Sequence, residues 1–281
     1  MKSYQIYQDK IAGYRDVAET VHTVEKIAAS SAHTLKTLVR QLSQHADAVE
    51  TMIASIASSR SIKKHPLLNP STGSRHAVIL CTGDKGLVGG LWNRTVTALF
   101  ESTNQDDTII TVGTKGARLL AEEKRAIAHE FPGLPDLPKS EDIEPIAAHA
   151  LNAFLENKYA SVKIIYPHFV SIAEQKPMLV PFLPFSNKPK SGEQSDLGLP
   201  IYEPSRDMIT RALLEKYIRV FFHKTMLEAK LSELSGRIIA MEHAGAKTET
   251  IIQKTIWSYL KERRSLSTQK QLESFAAGRA L

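Results

Sequence analysis

The residues best placed to do chemistry gather in one glycine-rich stretch. Gly83, Gly86, Gly89 and Gly90 follow the apolar run His76–Cys81 and bracket Asp84 and Lys85. A glycine turn between a strand and a helix is where α/β folds hold phosphate groups, on backbone amides and a helix N-terminus. Asp84 with Lys85 could also form an anion site or an acid/base pair. Neither specific pattern is met, however. The spacing is not that of a dinucleotide fingerprint, and in a P-loop the lysine after the last glycine must be followed by Ser or Thr. A tight turn that lets a helix pack closely is the simpler use of these glycines. The second glycine pair, Gly113 and Gly116 in GTKG, is a weaker signal still.

Other chemistry is not indicated. The ten histidines show no HExxH, the acidic residues do not follow metal-loop order, and no serine sits in a nucleophile elbow. The single cysteine, Cys81, can form no internal disulfide and no multi-cysteine metal site, which suits a reducing compartment. The expectation is a chain with no catalytic residues, metal or cofactor of its own.

The elements that must carry this turn are more informative. Ser205 to Leu281 contains no proline, and as a single helix it would run roughly 110 Å. Leu227, Leu231, Leu234, Ile238 and Met241 recur at alternating four and three, the seam of a coiled coil. A second row, Ile218, Phe222, Thr225, Ala229, Ser232, Gly236 and Ile239, lies nearly opposite, so two sides of this helix need cover. The first 60 residues offer a partner. Val17, Val21, Val24, Ala28, Ser31, Leu35, Leu38, Leu42, His45, Val49, Met52 and Ile56 keep the same alternation, and the helix should stop before Pro66. A packed His45 in that seam implies no chemistry.

Between the helices the pattern becomes that of alternating strands and helices. HAVILCTG, TIITVG, SVKIIYPHF and MLVPFLPF read as strands. Leu91–Ser102, a stretch from Lys115, and about Ile143 to Glu156 read as helices. The order strand, turn, helix, strand predicts a parallel sheet, and Pro181 and Pro184 put the last strand at its edge. Three segments follow: an N-terminal coiled-coil helix over 1–65, an α/β lobe over 66–205, and a C-terminal coiled-coil helix over 206–281. An antiparallel helix pair projecting from the lobe is the simplest assembly.

Composition narrows the function classes. With 281 residues, of which 42% are hydrophobic, the chain can build an ordinary core. No run reaches the roughly 18 apolar residues of a membrane span, and MKSYQIYQDK lacks the apolar centre of a secretory signal. The net charge of +6 is uneven, with basic ends and an acidic middle. Its lysines and arginines are interleaved with glutamates and hydrophobes, which reads as a solvated helix face rather than a nucleic-acid surface. A nucleotide-binding enzyme and a coiled-coil scaffold or nucleic-acid binder are the rival classes.

Five segments carry a resemblance that spans the chain. KIAGYRDVAETVHTVEKIAASS at Lys10–Ser31, DKGLVGGLWN at Asp84–Asn93, YEP at Tyr202, LSGRIIAMEHA at Leu234–Ala244 and the closing STQKQLESFAAGRAL resemble the gamma subunits of F-type ATP synthases. The pattern departs from that family at Val24, Ser31 and Val88, at Thr268 to Gln271 where a carboxylate is missing, and at Arg279. No inserted cysteine pair is present, so thiol control of the chloroplast kind is not implied.

The resemblance implies a long antiparallel coiled coil of N- and C-terminal helices with an inserted Rossmann-like α/β lobe. It also implies a role as central rotor, with no catalysis by this chain. The coiled coil would turn inside a ring of alpha and beta subunits, and the lobe, with epsilon, would sit on the membrane c ring, in a complex that also holds delta. Nucleic acid and a membrane span of its own are not implied. Val24, Lys26, Arg237, Met241, Arg263, Arg264, Gln269, Phe275, Gly278 and Leu281 would face the alpha/beta ring. Asp84, Lys85, Gly86, Gly89 and Gly90 would form a foot near epsilon and the c ring. The place implied is peripheral to the bacterial inner membrane on its cytoplasmic side, or the matrix side in a mitochondrion.

Overall fold

A computed structural model describes residues 3–56, 66–69, 75–185, 203 and 205–278. Tyr202, Arg279 and Leu281 lie outside the described residues. In chain order the elements are α1 (Ser3–Ile56), β1 (His76–Cys81), α2 (Leu91–Ser102), β2 (Thr108–Val112), α3 (Thr114–Glu122), β3 (His129–Phe131), α4 (Ser140–Leu155), β4 (Ser161–Phe169), β5 (Gln175–Leu183) and α5 (Arg206–Gly278). The chain divides into two compact units, one of Met1–Ala28 with Arg237–Leu281, the other Ala29–Gly236.

The first unit is a helix pair. Tyr4 of α1 meets Tyr259 of α5 edge to face at 6.2 Å, and a methyl group placed on Gly245 would lie 3.6 Å from His22. Low numbers therefore face high ones, and the two helices are antiparallel. Along α5 the seam continues as Met241, Gly245, Thr248, Ile252, Thr255, Tyr259, Glu262 and Leu266, all buried or half-buried. From Ser267 to Ala276 every residue is exposed.

The second unit is the α/β lobe with the adjoining parts of both long helices. Its sheet runs β3-β2-β1-β4-β5. β1, β2, β3 and β4 are parallel, and β5 runs antiparallel along β4. The proline-bearing last strand is thus an edge strand, as its missing donors require. β1 lies at the centre because HAVILC can be buried on both faces. Val78, Leu80, Val96, Leu99, Ile109, Leu120 and Ile165 form the core between the sheet and α2 and α3. The other face meets α5, where the Cys81 thiol lies 3.7 Å from the Met226 sulfur. Burial there pushes the thiol pKa well up, so Cys81 is an inert apolar side chain. On the same face Tyr217 of α5 lies in the field of Glu50 and Asp47 on α1. Burial first, and those carboxylates second, push its hydroxyl up to about 12.

Two expectations need adjusting. β3 carries only three residues and too little pattern to be legible. It is held by pairing to β2 and by a stack of His129 on His149 of α4, ring centres 4.5 Å apart. The α1 seam is half right. Val21, Ala28, Leu35, Leu42 and Val49 face inward, but their alternates are Ala18, Glu25, Ala32, Val39, Ala46 and Ile53. Val17, Leu38, His45 and Met52 are exposed. The inward set keeps the heptad but takes small alanines one position further along, because close helix approach favours small residues over larger ones turned outward.

The register is open to test by truncation. Leu35→Ala should cost about 2–5 kcal/mol, whereas Leu38→Ala should stay within about 0.5 kcal/mol, as read by urea unfolding of the purified chain. Equal losses would contradict the inward set.

The histidine stack carries a pH signature. Burial first, then the charges of His129 and Lys158, lower the His149 pKa below 6.5. The folded form then binds fewer protons than the unfolded one below the ordinary imidazole value, so stability falls with pH from about 6.5 down to the lowered value. His149→Gln should flatten the melting temperature between about pH 7 and pH 5. An unchanged slope would remove His149 from that account.

Candidate functional site

The glycine turn sits where α/β folds bind ligands. β1 and β4 lie side by side while the chain has gone out through β2 and β3, so the carboxyl end of β1 is a topological switch point. What occupies it is the protein itself. The first three amides of α3 are all satisfied by the turn after β1: Thr114 N donates to Asp84 Oδ1 at 2.8 Å, Lys115 N to the Gly83 carbonyl at 3.1 Å, and Gly116 N to Thr82 Oγ1 at 2.9 Å. Gly133 N donates to the other Asp84 oxygen at 3.0 Å. Asp84 therefore stands where a bound anion would stand, at the positive end of a helix.

A second carboxylate closes the site. A methyl group on Gly83 would fall 2.7 Å from Glu233 Oε2 of α5 and 2.9 Å from the Trp92 ring. Glycine is required at this position by close approach, not by ligand binding. Trp92 Nε1 donates to the Lys85 carbonyl at 3.1 Å and pins the turn from below. Gly89, with φ of +61°, and Leu87, with φ of +62°, make the left-handed bends that return the chain into α2. With two carboxylates in the crevice, phosphate would meet like charge and no free amides.

Glu233 belongs to a chain of four alternating charges. Lys230 Nζ lies 2.8 Å from Glu233 Oε2 and 3.4 Å from Asp136, and it donates to the Leu134 carbonyl at 2.9 Å. Lys85 Nζ lies 3.0 Å from Asp136. The side chains of Glu233 and Lys230 are 2% and 4% exposed, those of Asp136 and Lys85 29% and 63%. A second buried carboxylate, Glu228, is held by His168 and by Tyr166, whose hydroxyl donates to it at 3.3 Å. Burial first, then Glu228, raises the Tyr166 pKa strongly and keeps the phenol protonated. From Thr225 to Gly236 α5 is buried on all sides, so each charge there must find a partner in the lobe. Leaving one buried member unpaired costs about 3–5 kcal/mol, whereas replacing a whole pair by apolar groups is often neutral. The cluster thus fixes one arrangement more than it adds stability.

The expected site residues fall into distinct settings. Asp84, Lys85, Gly86, Gly89 and Gly90 come together in the turn, with Lys85 and Asp84 facing outward. On the helices Lys26, Arg263, Arg264, Gln269 and Phe275 are exposed, Phe275 at 76%. Val24 is half-buried, while Arg237 and Met241 are buried within the chain. Gln269 Nε2 donates to Glu273 at 3.0 Å. Gly278 closes α5. Among the described residues no group of three or more His, Cys, Asp or Glu could hold a metal ion, and no helix is long and apolar enough to cross a membrane. Sequence reasoning missed Lys230, Glu233, Asp136 and Glu228. The available signal was charged residues lying between two apolar rows of one helix.

The chain is thus a mixed α/β protein with two long terminal helices and a glycine turn whose α3 amides are taken by its own residues. The chain belongs to the ATP synthase family: the family model described as ATP synthase matches residues 3–281. Its relatives include the ATP synthase gamma chains of Staphylococcus haemolyticus (strain JCSC1435), 26% identical, and Staphylococcus aureus (strain JH9), 25% identical, each aligned over the whole of both chains. The fold is similar to a chain of the Euglena gracilis mitochondrial ATP synthase OSCP/F1/c-ring structure, with a TM-score of 0.68 at 18% identity, covering 99% of this chain and 94% of that one. A chain of the rotor structure from the same organism matches with a TM-score of 0.62, also at 18% identity, covering 94% and 98%.

The self-filled turn has a direct consequence. Asp84→Ala removes the acceptor of two backbone amides and should destabilise the chain by about 1–3 kcal/mol. Neither the original chain nor the variant should show saturable nucleotide binding by calorimetry. Binding that Asp84→Ala abolishes would restore the turn as a ligand site.

Proposed function

We propose that this chain is the gamma subunit, the central rotor shaft, of an F-type ATP synthase. It would couple ion flow through the membrane c ring to ATP synthesis or hydrolysis on the alpha/beta ring. The observation that carries the reading is the end-to-end match to gamma chains combined with α5, a helix of 73 residues. Its last described turns, Ser267–Ala276, are exposed throughout and present Leu272 and Phe275 outward. Such a segment suits a tip turning in an apolar sleeve made by other subunits. Trp257, 70% exposed, adds a large apolar side chain on the same helix.

In this reading the chain performs no chemistry. The two internal carboxylates at the switch point support that, since they occupy the place where a nucleotide phosphate would bind. The alpha/beta ring would hold ATP, and the contacts of Lys26, Arg263, Arg264, Gln269 and Phe275 with it would be surface contacts. Exposed ion pairs contribute about 0.2–1 kcal/mol each, so no single charge should be decisive. The foot contact of Asp84, Lys85, Gly86, Gly89 and Gly90 with epsilon and the c ring rests on the resemblance. The compartment proposed is the cytoplasmic face of a bacterial membrane, with the subunit held there through its partners.

Purification of a tagged chain from its native membrane tests the assignment. Alpha, beta and epsilon should copurify, with ATPase activity in the complex and none in the isolated chain. Recovery of the chain alone, or with nucleic acid, would overturn it. In the same complex Leu87→Cys, at an exposed position of the turn, should crosslink to epsilon or c, and a crosslink to alpha or beta instead would remove the turn from the foot.

A further inference from the structure

We infer that the charge chain Glu233–Lys230–Asp136–Lys85 is a registry pin that fixes the rotational setting of α5 on the α/β lobe. The inference rests on the rotor reading and deepens it by naming the joint through which the helix turns the lobe. A helix seated on a sheet by apolar side chains is held by shape alone, because hydrophobic burial is itself non-directional. Met226 against Cys81, and the rows around it, supply that kind of seat. Twisting α5 about its axis would exchange one apolar contact for another.

The polar groups differ in this respect. Lys230 reaches two acceptors that belong to the lobe, the Leu134 carbonyl and Asp136 of the loop between β3 and α4, and is balanced by Glu233, which lies one turn along its own helix and moves with it. Asp136 is gripped from the other side by Lys85 of the glycine turn. That turn is in turn tied to α3 and to Gly133 through Asp84. Rotation of α5 by one residue position would carry the Lys230 ammonium away from the Leu134 carbonyl and Asp136, and the Glu233 carboxylate away from the space above Gly83, and so strand buried charges without their lobe partners. The absence of a side chain at Gly83 leaves Glu233 room to enter. The chain runs from a fully buried carboxylate to an exposed ammonium, and so links the centre of the helix to the outer wall of the lobe.

This is a positioning role, and its readout is coupling and not rate. Complexes carrying Lys230→Met, and the double variant Lys230→Met with Glu233→Leu, are reconstituted into sealed vesicles, and ion pumping per ATP hydrolysed is compared with the unmodified complex. The double variant removes the buried pair together, so the lobe keeps its fold, as read by an unchanged melting temperature of the isolated chain. The expected result is ATP hydrolysis retained in both, with pumping per ATP lost severalfold in both. Exchanging the pair, Lys230→Glu with Glu233→Lys, should not restore it, because Asp136 would then face a carboxylate. A folded double variant that pumps as the unmodified complex does overturns the pin and leaves the rotor reading intact. A double variant that cannot fold makes the cluster a folding element and also overturns the pin. If the unmodified chain neither assembles nor pumps, the rotor reading fails and takes the pin with it.

Discussion

A helix buried on all sides cannot carry charged residues unless the surrounding structure answers each of them. That constraint governs Thr225–Gly236 of α5, where Glu228, Lys230 and Glu233 lie in the interior of the lobe. Their partners are drawn from β4, from the loop after β3 and from α5 itself, and the turn after β1 joins through Lys85, which pairs with Asp136. The glycines of the turn, the proline-rich loop through Leu134 and Asp136, and the burial of Tyr166 all follow from it. An uncompensated charge in such a place would outweigh most of the stability of an ordinary domain.

The same constraint explains why, among the described residues, the crevice at the carboxyl end of β1 is filled from within. In other doubly wound sheets the crevice beyond the carboxyl ends of the strands is left open. Here a helix fills it, and two carboxylates take the amides and the space that a phosphate would use. The lobe is then a mount. The buried charges of α5 are answered by groups of the lobe.

Much of this was readable in the residues, and the failures have physical causes. β1, β2 and β4 were legible because buried parallel strands are short apolar runs between turn residues. β3 was not, since His129–Phe131 is specified by its neighbours and not by its own pattern. Half of the α1 seam slipped by one position because alanines at 32 and 46 carry little hydrophobic signal yet permit close packing, while Leu38 and Met52 carry a strong one and face outward. The two apolar rows of α5 marked a helix needing cover on more than one side, and from Thr225 to Gly236 it is buried all round. The glycine turn was found from its spacing, which argued against a phosphate site. The reason, Glu233 and Asp84 standing in the crevice, is a matter of residues far apart in sequence. Of the site residues, the turn could be located as a group, but the burial of Arg237 and Met241 depends on packing that no local pattern reports.

Rotation of this chain against a stationary alpha/beta ring is the measurement that reaches the central claim most directly. With the ring fixed to a surface and a bead attached to the lobe at Arg118, an exposed position on the helix after β2, ATP should drive unidirectional turning in three equivalent steps per revolution. A bead that stays fixed, or only fluctuates, while the same complex hydrolyses ATP would show that this chain is not the shaft.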